Sequence, residues 1–224
     1  MNNYTALVKY YDFLLHDELT LTTWINNCLD NKDNLNILDM ACGSGNASML
    51  YNELNNHVYA FDISEEMIDL AKQKDVTNKI DYQVKDMLDF NYNVKFDIVV
   101  CFMDSLNYIN SLDNLKVIFN NVYNHLNDKG KFIFDYHLRE RLIEFKEEYI
   151  EEGYVLDTPY QWSICSDGDN LLSRFVFYED ILKSEEHIQY IFDIKDLMNI
   201  LSDIGFKVKI DNLNDEKYYV EAIK

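Results

Sequence analysis

NILDMACGSGNAS, residues 36–48, is an apolar run that ends in Asp39, crosses the small residues Ala41, Gly43 and Gly45, and enters a helical pattern. Small residues let a backbone come close to a ligand, and a helix start offers unpaired N–H groups. As a dinucleotide fingerprint the stretch fails twice. Counted from Gly43, the third glycine position holds Ser48. Asp39 also precedes the loop, where its charge would repel a pyrophosphate. A carboxylate there suits a ligand with a cationic part, such as an amino acid; an ordinary strand-to-helix turn is the plain alternative.

Outward from this stretch, strand and helix patterns alternate. Short apolar runs occupy 35–40, 57–61, 79–84, 96–102 and 130–135, with helical patterns over 45–54, 64–74 and 113–126 between them. Such alternation predicts a parallel sheet with helices on both faces. The near-continuous apolarity of IVVCF and KFIF agrees, because central parallel strands are buried on both sides. Before the sheet, Leu7, Tyr10, Tyr11 and Leu14 share one helical face, and Leu21, Trp24, Ile25 and Cys28 another. After residue 138 the rhythm changes. HLRERLIEFKEEYI reads as helix. PYQWSICS and LLSRFVFYED read as strands around an Asp167-Gly168 turn, and HIQYIF as a further strand. Helix 193–203 ends at Gly205, and FKVKID and KYYVEAIK close the chain as an antiparallel pair, the connection being too short for a parallel crossover.

The acids fall in register. Asp62 lies 23 residues after Asp39, the right spacing for a carboxylate that takes two ribose hydroxyls in a Rossmann-type site. Asp86 follows the third apolar run and Asp104 the fourth. In a doubly wound sheet all four acids reach the carboxyl edge, where ligands bind.

The formal charge of -20 argues against nucleic acid, which requires a basic footprint. A cationic or neutral small molecule suits this field. No secretory pattern opens the chain and no membrane-length apolar run occurs. The four cysteines, Cys28, Cys42, Cys101 and Cys165, are far apart and form no metal-ligand pattern. No metal is expected, and a reducing cytoplasm is.

Residues 35 to 136 with the closing strands resemble the class I S-adenosylmethionine-dependent methyltransferases. The resemblance implies a Rossmann-like α/β fold, with a doubly wound seven-stranded sheet whose last strand is antiparallel. In that family the loop matching Asp39, Ala41, Cys42, Gly43 and Gly45 cradles the methionine part of S-adenosylmethionine. The acid matching Asp62 holds the ribose, with Ile63 and Met67 close by. The pair matching Asp86-Met87 addresses the adenine, and Cys101, Phe102 and Met103 pass beside the cofactor. Ala41 stands where the family most often has its first glycine. Residues 1–30, with Tyr11 and Trp24, are similar to the helical lid of small-molecule members. Residues 150–192 resemble the antiparallel insertion before the last helix in glycine and nucleotide-amino-sugar N-methyltransferases. One domain over 1–224 is implied, with its core in 35–149 and 193–224. The Asn-Pro-Pro-Tyr motif of base-modifying members is absent; Met103-Asp104-Ser105-Leu106 stands there.

Methyl transfer requires alignment more than a catalytic dyad. Tyr11, facing sulfonium or acceptor, and His137, as a base past the fifth strand, are the catalytic candidates. Trp24, Asp104, Asn107, Tyr108, Tyr160, Trp162 and Arg174 are candidates for the acceptor pocket. For Tyr11, packing on a helix face is the alternative; for Asn107, capping of the next helix. Cys42 reads as a loop filler rather than a nucleophile. Two other functions stay open: a regulatory protein that binds S-adenosylmethionine or S-adenosylhomocysteine without catalysis, and a nicotinamide-dependent oxidoreductase. The acceptor is a small molecule methylated at N or O, and monomer and homodimer both remain open.

Overall fold

The computed structural model describes residues 5–15, 18–30, 32–212 and 216–224. Parts of the expected lid (residues 1–4, 16 and 17) and of the loop between the closing strands (213–215) lie outside the described residues. Seven strands form the main sheet: β1 (Asn36–Met40), β2 (His57–Asp62), β3 (Asp81–Val84), β4 (Phe96–Cys101), β5 (Leu126–His137), and the closing β10 (Lys207–Asn212) and β11 (Lys217–Ile223). Their order is β10-β11-β5-β4-β1-β2-β3. β1 to β5 pair in parallel, while β11 runs antiparallel to both β5 and β10.

Alternation along the buried strands explains the doubly wound form. On β4, Ile98 and Val100 face a core built with α2 (Glu18–Leu29), α3 (Asn46–Glu53) and α4 (Glu65–Lys74). Val99 and Cys101 face the opposite core, with α5 (Leu112–His125) and α7 (Ile194–Ile204). Three helix starts, those of α4, α5 and α7, have a sequence-encoded side-chain cap. Ser64 Oγ accepts from the Met67 amide, Ser111 Oγ from Asn114, and the Asp193 carboxylate from Lys195. Gly205, at φ +118°, ends α7 as expected.

A second, four-stranded antiparallel sheet precedes α7, in the order β6 (Tyr149–Val155), β7 (Thr158–Ser166), β8 (Asn170–Phe177), β9 (Lys183–Tyr190). Here the helix expected through Ile150 is corrected. β5 runs on to His137, α6 (Glu140–Glu144) is brief, and Tyr149 already begins a strand. The reason is a two-residue hairpin at Leu156-Asp157, both at positive φ (46° and 63°), between paired Val155 and Thr158. Asn-Gly normally marks such a turn; Leu-Asp does not.

The N-terminal segment, a 3-10 turn (Val8–Tyr10) and α1 (Tyr11–Leu14), packs on this second sheet. Ala6, Leu7 and Tyr10 join Val155, Phe175 and Phe177 in one cluster, with the Tyr10 and Phe177 rings stacked at 4.3 Å. Such a ring pair adds about 1 kcal/mol beyond its buried area. Among the described residues no helix is long and apolar enough to cross a membrane.

Candidate active site

The loop after β1 turns on three left-handed residues: Ala41 (φ 55°), Gly43 (53°) and Gly45 (81°). A Cβ on Gly45 would stand 2.5 Å from the Tyr82 hydroxyl and 3.0 Å from Ala71 Cβ, so only glycine fits. Gly45 thus seats the start of α3. A Cβ on Gly43 would meet nothing closer than the Tyr11 ring, 3.8 Å away. Ala41, Gly43 and Tyr11 border a common cavity, with the Tyr11 ring facing the turn.

Asp39 has a structural partner that the sequence did not reveal. Its buried carboxylate accepts from Ser48 Oγ at 2.5 Å, tying β1 to the first turn of α3. Burial pushes its pKa up to about 7, against the Ser48 bond and with the Asp62 charge adding. Asp39 borders a hollow of about 50 Å³ with Cys42 and Phe102, beside the main cavity but not lining it. Burial likewise raises the Cys42 thiol well above its ordinary value, which suits a loop filler and not a nucleophile.

The main cavity, about 320 Å³, opens at the carboxyl ends of β1, β2 and β4, where ligands meet doubly wound sheets. Asp62 stands on its wall with both oxygens engaged. One accepts from the Gly43 amide at 2.9 Å, the other from Ser64 at 2.9 Å. Burial raises the Asp62 pKa, opposed by these N–H donors. Ile63, Met67, Asp86 and Met87 line the same cavity, as do Ala41 and Gly43. Phe61 and Leu88 add apolar wall.

At the end of β4, Met103 and Asp104 both adopt φ 59°, a strained pair. Met103 lines the cavity, while Cys101 is wholly buried with its sulfur 3.9 Å from that of Met87. Asp135, fully buried on β5, accepts the Asp104 amide and holds the turn. Lys217 Nζ lies 2.9 Å from Asp104 and 3.3 Å from Asp135. Burial works against the Lys217 ammonium, but the two carboxylates outweigh it and raise its pKa. Burial, partly offset by Lys217, pushes Asp135 up to about 7. Asp104 is lowered, His137 and Lys217 overcoming its burial.

His137 belongs to this cluster and not to the cavity. Its Nε2 lies 3.4 Å from Asp104, and burial lowers its pKa although Asp104 opposes the shift. Asn107 is also interior, donating to the Tyr190 carbonyl and accepting the His137 amide. The cap of α5 is Ser111, not Asn107. Of the candidates from this region, Tyr108 lines the cavity; Asp104, Asn107 and His137 stand behind its wall.

Four acceptor-pocket candidates from the N-terminal segment and the insertion have other partners. Trp24 is buried in the core against Phe102, with rings 5.1 Å apart. Tyr160 donates to Glu151, and Trp162 donates to Ser173 and stacks on Phe175. Arg174 is exposed and pairs with Glu186. None of these four lines the cavity; large aromatic side chains here serve packing between the second sheet and the N-terminal segment. Ile188 and Tyr190 of β9 supply the insertion's part of the wall. Sequence reading missed both, together with Ser105, Asn110 and Asn114; the run HIQYIF marked a strand but not which end of it meets the sheet edge.

Tyr11 lines both the cavity and the small hollow. Burial, with Tyr108, Asp62, Asp12 and Asp104 adding, raises its phenol well above the ordinary value. The ring is therefore a neutral face and hydroxyl, not a base. Its neighbour Asp12 locks the segment in place: it accepts from Ser44 Oγ and Asn46 and pairs with Lys74 at 2.6 Å.

Comparison with known proteins agrees with this geometry. Residues 37–130 match a family model described as a methyltransferase domain. A Bacillus subtilis protein with a provisional methyltransferase name, YqeM, is 29% identical over 218 residues, 92% of this chain and 87% of the relative. A crystal structure of an S-adenosylmethionine-dependent methyltransferase from Clostridium acetobutylicum is similar, with 26% identity, a TM-score of 0.81 and 98% of both chains covered. CalS10 from Micromonospora echinaspora, an amino pentose methyltransferase solved with S-adenosylmethionine bound, shares the fold. Its TM-score is 0.79 at 15% identity, over 98% of this chain and 97% of that one.

Proposed function

We propose, from the premise that this chain belongs to the S-adenosylmethionine-dependent methyltransferases, that it methylates a small-molecule acceptor at nitrogen or oxygen. The observation that carries this is the Asp62 carboxylate, fixed by the Gly43 amide on the wall of a cavity covered by the N-terminal segment. Asp62 offers its remaining lone pairs to ribose hydroxyls. Phe61, Met87 and Leu88 offer apolar surface to an adenine beside Asp86. The cavity side of the Ala41–Gly43 turn and the hollow beside Asp39 suit the methionine part. S-adenosylmethionine supplies, when bound, a methyl group on a sulfonium that leaves as a neutral thioether.

The chain's own work is alignment and exclusion of water, which together supply several kcal/mol. Tyr11 presents an aromatic face, attractive to a cation, over Gly43. Tyr108, Ser105, Asn110, Asn114 and Tyr190 give the acceptor end neutral polar groups. The acidic surface favours cationic or neutral acceptors, and CalS10, named for an amino sugar, is a neighbour of matching shape. In this scheme the N-terminal segment is the lid, the second sheet is the acceptor side, and the whole is one working domain. Four cysteines without a disulfide suit a cytoplasmic protein.

The test is transfer of tritium from methyl-labelled S-adenosylmethionine into a fractionated metabolite extract. A labelled small molecule supports the proposal. Label found only in protein or nucleic acid contradicts it.

A further inference from the structure

Two buried ionisable side chains of β9 have no part in the scheme above. Glu185 and His187 alternate along the strand and so share one face. His187 Nε2 stands 2.9 Å from Glu185 Oε1, and its Nδ1 stands 3.4 Å from the Tyr108 hydroxyl, with the two rings edge to face. His187 is 3% and Glu185 7% exposed. Tyr108 in turn lines the cavity, so the three residues run from the cavity wall into the second sheet. The other oxygen of Glu185 accepts the amides of Thr5, Ala6 and Leu7 at 2.7 to 3.1 Å. The carboxylate thus also anchors the segment that carries Tyr11.

We propose that Tyr108, His187 and Glu185 form a proton relay for methyl transfer, with Tyr108 as the catalytic residue at the cavity and His187 and Glu185 positioning it. The inference rests on the acceptor reading above. When an X–H group attacks, the X–C bond forms, the C–S bond breaks with its electron pair going to sulfur, and a proton remains on X. The Tyr108 oxygen takes that proton while passing its own to His187 Nδ1. The imidazolium so formed is balanced by Glu185. The proton returns through Tyr108 to water when product leaves.

The chemistry dictates a tautomer. Glu185 is held below the usual carboxylate range, burial being outweighed by His187 and the Leu7 and Ala6 amides, so it accepts only. His187 must then carry its proton on Nε2 and offer Nδ1 to Tyr108. Nothing in the run KSEEHIQY distinguishes this pair from ordinary surface residues.

Two measurements decide it. Full-length protein with ¹⁵N-labelled histidine rings, loaded with S-adenosylhomocysteine, is observed by NMR, and His187 is assigned through H187Q. The relay requires Nε2 protonated, Nδ1 unprotonated, and an Nδ1 resonance that moves by several parts per million in Y108F. A proton on Nδ1, or no movement in Y108F, overturns it. In the tritium assay on metabolite extract, H187Q and Y108F transfer methyl about 100-fold more slowly. Their calorimetric affinity for S-adenosylhomocysteine stays within about twofold, as expected if the relay acts on the chemical step and not on cofactor binding. Labelling as fast as wild type in both variants overturns the relay alone. An extract in which wild type labels no small molecule overturns the acceptor reading and the relay with it.

Discussion

The Gly43 amide donates to the Asp62 carboxylate across 2.9 Å, joining the loop after β1 to the end of β2. One charge therefore shapes the loop and faces the cavity. D62N retains the shape but weakens a charge-assisted bond, typically 1.5 to 3 kcal/mol. Affinity for S-adenosylhomocysteine should fall roughly 10- to 100-fold in calorimetry, with the folded state intact by circular dichroism.

The two loop glycines should respond differently. G45A meets the Tyr82 hydroxyl and Ala71 as well as a left-handed backbone, and should cost about 2 to 4 kcal/mol in urea unfolding. G43A meets ordinary contacts only and should cost about 1 kcal/mol. Equal losses would show that contact with Tyr82 is not what excludes a side chain.

Much of this was legible in the sequence, and the reasons are local. IVVCF reads as a central strand because Val99 and Val100 are buried on opposite faces. The spacing of Asp62 from Asp39 puts it at the end of the second strand, and it stands there on the cavity wall. Other features depend on contacts distant in sequence. Ser48 captures Asp39, Lys217 comes from the far end of the chain to Asp104, and Trp24 turns into the core instead of the cavity. Leu156-Asp157 hid a hairpin because neither residue favours positive φ.

Asp39 makes stability depend on pH. A carboxyl whose folded pKa, about 7, exceeds its unfolded value of roughly 3.9 binds protons more tightly when folded. Its contribution is whole below about pH 4 and is lost as the pH rises through about 7. D39N, which stays neutral, should therefore be more stable than wild type at pH 8 by up to about 4 kcal/mol. The two should converge near pH 4 in urea titrations.

Lys217 sits between two buried carboxylates, so K217M leaves both without their cation. Breaking a buried pair on one side costs about 3 to 5 kcal/mol. Chemical denaturation should show that loss. D135N/K217M, which removes one charge of each sign, should recover part of it.

The central claim is that the cavity beside Asp62 holds S-adenosylmethionine. Thermal unfolding with micromolar S-adenosylhomocysteine tests it most directly, since a ligand that binds only the native state raises Tm. Wild type should gain several degrees, D62A none, and nicotinamide dinucleotides should shift neither. A shift with the dinucleotide and none with S-adenosylhomocysteine, or an undiminished shift in D62A, would contradict the account.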